Sequence, residues 1–407
     1  MHNAPNIKRY QLQTSHRTYG FIVMAVVFAI GMAGTTLPTP LYPLYQQHLN
    51  ISELMVAVIF ATYAFGVLGA LFVTGPWSDQ IGRRPILYAA LACAAASSLL
   101  FLYGGALWVL LLGRALSGLS AGFFTATATI AVIELAPDSQ KTFAAMMAAA
   151  ANMGGLGLGP LLSGAISQYL PGPLHLAYLV YLFLLVVAGA LLSQCPETVT
   201  RPSNPNLRPQ GLGLPTSVRT AFVPAAIACF AGFALLGLLT SLEPAILGKV
   251  VGISNRAAVG GLIFIVFVAS LGGQFLQRRL ADEVRLPLAC GVLVLGAGLL
   301  AVSLIANSIV LLIIGAIASG LGQGAIFAAS IVAVTAASPA GKRAEITSLL
   351  FVVVYLAVAV PVLGLGIAIE YIGLRAAGIT FSVLVMLLSI AAVAVLKMRR
   401  IKPSVAI

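Results

Sequence analysis

The sequence predicts an all-α membrane protein of twelve transmembrane helices, arranged as two pseudo-symmetric six-helix bundles. Three observations predict it. The 407 residues are 60% hydrophobic and only 8% charged, whereas soluble domains carry about 25% charged residues. The apolar runs are continuous and roughly twenty residues long, the length a helix needs to cross a hydrocarbon core of ~30 Å. Barrel strands, the other solution to unpaired backbone groups in lipid, would alternate apolar and polar residues instead. Finally, a shift of 202 residues lays landmarks of the first half on the second. Ile51-Ser52 falls on Ile253-Ser254, Arg83 on Arg285, Pro85 on Pro287, Ser117-Gly118-Leu119 on Ser319-Gly320-Leu321 and Gly122 on Gly324. Pro137, Lys141, Gly164 and Tyr169 fall on Pro339, Arg343, Gly366 and Tyr371 at the same offset.

Six spans are expected near 19–46, 52–74, 86–104, 107–135, 142–167 and 175–194. Six more are expected near 220–247, 256–277, 287–305, 308–336, 344–369 and 376–396. The chain then divides into a tail (1–18), a first bundle (19–194), a polar linker (195–219), a second bundle (220–396) and a tail (397–407). Lys and Arg decide orientation. Eighteen of the 22 fall in the tails, the linker and the loops on that side. Lys249, Arg256 and Arg375 fall on the other side, and Arg114 lies inside a span. Both termini are therefore expected in the cytoplasm, with the protein in the plasma (inner) membrane. The first apolar run is too long for a cleavable signal.

The formal charge of +12 does not read as nucleic-acid binding, because the basic residues are scattered through short loops without interleaved aromatics. Cys93, Cys195, Cys229 and Cys290 have no CxxC spacing, and His2, His16, His48 and His175 lie in the tail or near loops. Neither a metal site nor a disulfide framework is expected. No Gly-x-x-x-x-Gly-Lys-Ser/Thr loop for ATP occurs, so no cofactor and no enzymatic activity is expected. A gradient is left as the energy source. Internal six-span repeats point to a transporter, with its solute site between the halves near the midplane.

Four motifs sharpen this. Gly75-Pro76-Trp77-Ser78-Asp79-Gln80-Ile81-Gly82-Arg83-Arg84-Pro85 joins spans two and three. Gly82 permits a tight turn, Asp79 can face a helix N-terminus across the half-interface, and Arg83 can pair with Glu134 at the end of span four. Span four carries Arg114-x-x-x-Gly118-x-x-x-Gly122. Its intramembrane charge is either functional or snorkels to the near surface. Its repeat-mate is Ala316. Span five carries Gly155-x-x-x-Gly159-Pro160-x-x-Ser163-Gly164, where Pro160 should bend the helix and the small residues allow close packing. Pro196-Glu197-Thr198 follows span six.

Together these motifs resemble the major facilitator superfamily, and within it the twelve-span drug/proton antiporter branch. The resemblance implies the major facilitator fold, a cavity lined by spans one, four, seven and ten, and export by antiport. It also implies a small-molecule substrate, protons as the coupling ion, a lipid bilayer and a monomer. Gly75, Asp79, Gly82, Arg83, Arg84 and Glu134 are expected to form a gating latch between the halves, made in the outward-facing state and broken in the inward-facing one. Gly155, Gly159, Pro160 and Gly164 are expected to bend the helix. Arg114 and Glu243, the one acid clearly inside a span apart from Glu134, are the coupling candidates and are expected to pair or compete. Thr35, Thr39, Tyr42, Asn152, Ser319 and Gln323 are candidate cavity residues. Span one has no acid, unlike several multidrug antiporters of the family, which keeps neutral and anionic solutes open. A proton-coupled uptake symporter and a lipid flippase are the alternatives.

Overall fold

Long apolar runs become helices because the chain must pair its own backbone groups where no water does. In the computed structural model the backbone of residues 4–202 and 213–401 is described. Side chains are described for 20–72, 77–202, 213–339 and 341–398. The middle of the expected linker and the ends of both expected tails lie outside these residues. The first-half helices are α1 (Ala4–Thr36), α2 (Tyr42–Leu49), α3 (Glu53–Ile81), α4 (Arg83–Leu102), α5 (Leu107–Leu135), α6 (Lys141–Tyr169) and α7 (Pro173–Gln194). The second half has α8 (Arg219–Ser241), the single turn α9 (Glu243–Ala245), α10 (Arg256–Leu276), α11 (Asp282–Ala306), α12 (Ile309–Ala337) and α13 (Arg343–Ile401).

Eleven stretches among the described residues are long and apolar enough to span a membrane. The eleventh lies in α13, whose 59 residues would measure about 90 Å as one rod, three times the hydrocarbon core. Gly373 breaks it, with φ 77° and ψ 161°. Beyond the break the chain folds back along α11. Gly378 meets Leu304, Met386 lies against Gly298, and Arg375 Nη2 donates to Asn307 Oδ1.

Span seven departs from its expected form. The sequence reads as one run over 220–247, but α8 stops at Ser241 and a π-helical turn follows α9 over Ile246–Val251. Pro244 sits where its missing N–H costs least, in the first turn of a new helix.

Two cores form. One gathers side chains from residues 21–195, the other from 218–392, and each borrows from the opposite half: Val358, Ala359 and Val362 join the first, Met153 the second. The 202-residue repeat is a repeat of helix pairs. Gly118 of α5 lies on the Tyr63 carbonyl of α3, and Gly320 of α12 on the Val266 carbonyl of α10. A Cβ at either position would strike backbone, so small residues set the helix spacing. Across the halves, α6 packs along α10 and α3 along α13.

Candidate functional site

Between the α6–α10 and α3–α13 contacts the halves separate around a cavity of about 750 Å³. The first half contributes Thr35, Phe60, Tyr63, Arg114, Thr125 and Asn152, and the second Phe233, Thr240, Phe267, Phe327, Phe351 and Tyr355. Asp79, at the end of α3, and Arg343, at the start of α13, line it toward the end where the loops and the linker gather. Its deep end reaches Arg114 and Thr35.

Beyond Arg114 the halves are sealed. Lys249 Nζ reaches Glu53 Oε1 at 2.7 Å. Arg256 Nη2 donates to the Ser167 carbonyl at 2.7 Å, and its backbone N–H to Gln168 Oε1 at 2.9 Å. Ser52 Oγ donates to Glu370 Oε1 at 3.2 Å. Gln168 and Glu370 are 202 residues apart, so the repeat builds the same clasp twice, from the end of one helix to the start of another in the opposite half. Sequence analysis missed this clasp. The available signal was a polar pair at the established offset, just before the matched tyrosines 169 and 371.

At the open end the loop motif assembles. Arg83 Nη1 lies 2.6 Å from Asp79 Oδ1 and from Ser78 Oγ. Arg83 Nη2 and Nε reach the two oxygens of Glu134 at 2.9 and 3.2 Å. Thr198 Oγ1 donates to Glu134 as well. Glu197 accepts the backbone N–H groups of Arg83 and Arg84 at 2.8 and 3.1 Å, placing a carboxylate on the positive end of α4. Gly82, with φ 106°, turns the chain beneath it, and a Cβ there would meet that carboxylate. Arg84 Nη2 donates to the Ser193 carbonyl at 3.3 Å. Gly75 lies within α3, where the backbone alone is described. Asp79, Arg83 and Glu134 thus come together, and among the described residues their ion-pair and hydrogen-bond partners belong to the first half or the segment after α7. Within the first half they form a brace that is intact while this end stands open; a latch across the halves, expected only in the outward-facing state, stays an expectation. The second copy closes only on itself, with Arg285 bonded to the Leu280 carbonyl and Asp282.

Arg114 and Glu243 do not pair. Arg114, 1% exposed, donates from Nη1 to the Thr35 carbonyl at 2.6 Å and stacks over Tyr63 and Phe60, 4.8 and 5.6 Å from the ring centres. Glu243 is fully buried at the break between α8 and the π turn, and neither carboxyl oxygen has a hydrogen-bond partner. Thr240, three residues before it, lines the cavity, and Glu243 is not among the lining residues.

Of the six candidate cavity residues, Thr35 and Asn152 line the cavity. Thr39 and Tyr42 are buried in and after the turn that follows α1. Ser319 lies against Gly296 of α11, and Gln323 accepts a hydrogen bond from Ser270 of α10 at 2.7 Å. Those four face neighbouring helices. The aromatic wall was missed, because Phe233, Phe327 and Phe351 sit in runs that look the same whether they face lipid or a cavity.

In α6 the helix stays continuous through Pro160. Proline cannot bond the carbonyl four residues back, which is Leu156, and Thr36 Oγ1 donates to that oxygen at 2.6 Å. Gly155 and Gly159 lie on the Ala29 and Ala33 carbonyls of α1, while Gly164 faces the Arg256 carbonyl of α10. The glycines of the motif therefore form a contact stripe. It holds α6 to its own half on one side and to the opposite half on the other.

Known proteins place these features. The family model described as Major Facilitator Superfamily matches residues 23–306. The chain is 27% identical over 305 residues to the tetracycline resistance protein, class E, of Escherichia coli, covering 70% of this chain and 71% of that one. It is 27% identical over 276 residues to the class D protein of Salmonella ordonez, covering 64% and 68%. A bacterial homolog of the human lysosomal transporter Spinster, crystallised inward-facing and occupied, superposes with a TM-score of 0.69 at 15% identity, covering 96% of this chain and 99% of that one.

Proposed function

The chain belongs to the Major Facilitator Superfamily, and from that premise we propose that it exports a small organic solute or drug in exchange for protons, by alternating access. It is a multi-pass membrane transporter, not an enzyme. The observation that carries the proposal is the cavity shared by both halves, open toward Asp79 and Arg343 and sealed beyond Arg114. A site at the interface of two repeats, reached from one side at a time, is what rocking of one bundle against the other requires. The kinship with tetracycline resistance proteins favours export of a drug-like solute.

In this reading both limbs of α13 cross the bilayer, giving twelve spans in bundles 19–194 and 220–396. The excess of Lys and Arg puts the open end and both termini in the cytoplasm, so the conformation faces inward. The protein works as a monomer in the plasma membrane. Glu243, a buried carboxyl without a partner, is the candidate to carry the proton, and Arg114 takes part in coupling as a fixed positive charge. The Arg83 brace keeps Asp79 at the cavity mouth.

The test is purified protein in liposomes with an imposed pH gradient and a panel of labelled solutes. A solute moving against the proton flow supports antiport. One moving with it replaces export by uptake symport, and flipping of a labelled lipid alone points to a flippase. Glu243→Gln should abolish pH-driven transport while leaving solute binding intact. Unimpaired pH-driven transport rules it out as the carrier.

A further inference from the structure

The deep end of the cavity holds a charge that no carboxylate among the described residues neutralises. Arg114 lines the cavity and spends one hydrogen bond on the Thr35 carbonyl. Nε has no partner, and among the described residues no carboxylate pairs with the guanidinium. A guanidinium carries five N–H donors and cannot shed its proton to escape the cost. An unpaired charge at membrane depth is expensive and marks a site of interaction. The tyrosine and phenylalanine rings beneath it ease that cost by a cation–π contact but supply no counter-charge.

The remaining ionisable lining offers none either. Asp79 and Arg343 stand at the mouth, opposite in sign. Arg114 is twenty residues before Glu134 on α5, about 30 Å from the open end along the helix axis. The interior field is therefore positive, and the wall between is apolar and aromatic. Phe327 lies 5.4 Å from Phe233 and 5.8 Å from Phe351, centre to centre. The volume of about 750 Å³ falls in the range of sites for drug-sized ligands. An organic cation here would meet a like charge. A neutral solute would leave Arg114 unpaired.

Resting on the transporter reading above, we infer that the substrate is an amphipathic organic anion, an aromatic carboxylate of drug size, whose acid group pairs with Arg114. Its ring system lies along Phe327 and Tyr355. Guanidinium and carboxylate match as two parallel hydrogen bonds, so the pair selects geometry as well as charge.

Binding to the purified full chain in nanodiscs tests it with three naphthalene probes of one size: 2-naphthoate, 2-naphthylmethylamine as its cation, and 2-naphthalenemethanol. Wild type should bind the carboxylate at least tenfold tighter than the cation. Arg114→Gln should lose at least tenfold for the carboxylate and less than threefold for the alcohol, whose retained binding also reports a folded cavity. Equal wild-type affinity for cation and carboxylate overturns the inference without any variant, as does a loss in Arg114→Gln that is the same for carboxylate and alcohol. Transport is read separately. If wild-type liposomes move none of the anionic solutes they bind, in either direction, the transport reading fails while the binding selectivity still stands or falls alone.

Discussion

Thr36 carries a burden that its residue type does not announce. Pro160 strips the Leu156 carbonyl of its helical partner, and the Thr36 hydroxyl of the neighbouring helix supplies the replacement at 2.6 Å. A buried carbonyl left unpaired costs about 1–3 kcal/mol. Thr36→Val should therefore destabilise the protein by at least about 1 kcal/mol, whereas Thr36→Ser should be near neutral. Denaturant unfolding in detergent reads both, and equal stability of the two variants would refute this role. Arg83 is the second such residue. Breaking a fully buried ion pair costs about 3–5 kcal/mol, but Glu134 is one-third exposed, so Arg83→Ala should cost roughly 2 kcal/mol in the same measurement. Arg83 and Glu134 were legible through the loop motif, which sets an Arg at the start of span three against an acid at the end of span four. Thr36 was not, since nothing local marks which of several threonines faces a carbonyl that a distant proline has freed.

Helices here are distinguished by what their faces touch. Gly164 of α6 and Gly260 of α10 sit where the two halves approach most closely, Gly164 on the Arg256 carbonyl and Gly260 on the Pro160 carbonyl. A branched side chain at Gly260 would meet backbone, which cannot swing aside. Gly260→Val should push α10 off α6, open the sealed end and cut transport at least tenfold with expression retained. Spin-label distances between the ends of α6 and α10 measure the separation, and an unchanged distance distribution counts against it. The sequence marked Gly164 as small-residue packing without saying which helix it would meet, and did not single out Gly260. Most span ends were legible to within a few residues, but the first span, expected over 19–46, begins at Ala4 and breaks after Thr36, and the second runs on to Ile81. The break at Gly373 falls in the gap expected between the spans ending at 369 and starting at 376, whereas the break at Ser241 was read through, although Thr240, Ser241, Glu243 and Pro244 interrupt the apolar run there.

At the scale of the molecule, one end is held by contacts between halves and the other by contacts within a half. Glu53–Lys249 is the ionic member of the sealed end, and Lys249 is 64% exposed. A pair so exposed is worth at most about 1 kcal/mol, or about a fivefold change in a two-state population. Lys249→Glu should accordingly shift up to that fraction of molecules toward opening of the sealed end. The double swap Glu53→Lys with Lys249→Glu should restore the wild-type population. Double electron–electron resonance across the sealed end reads both. If the single variant leaves the distribution unmoved, the pair contributes nothing to closure. The Gln168 and Glu370 clasps, built twice by the repeat, would then hold this end alone.

The sequence by itself determined the solvent, the helices, the family likeness and the 202-residue repeat. All of these depend on local composition and on spacing along the chain. It also marked Arg114 and Glu243 as exceptional, since an ionisable group in an apolar span is costly wherever it points. Tertiary structure alone decided that these two do not meet, that the brace at Asp79, Arg83 and Glu134 stays within one half, and that Phe233, Phe327 and Phe351 face a cavity. The reason is that lipid, a neighbouring helix and an amphiphile-binding wall all favour apolar side chains. Hydropathy therefore fixes that a helix is buried in something, and only packing decides in what.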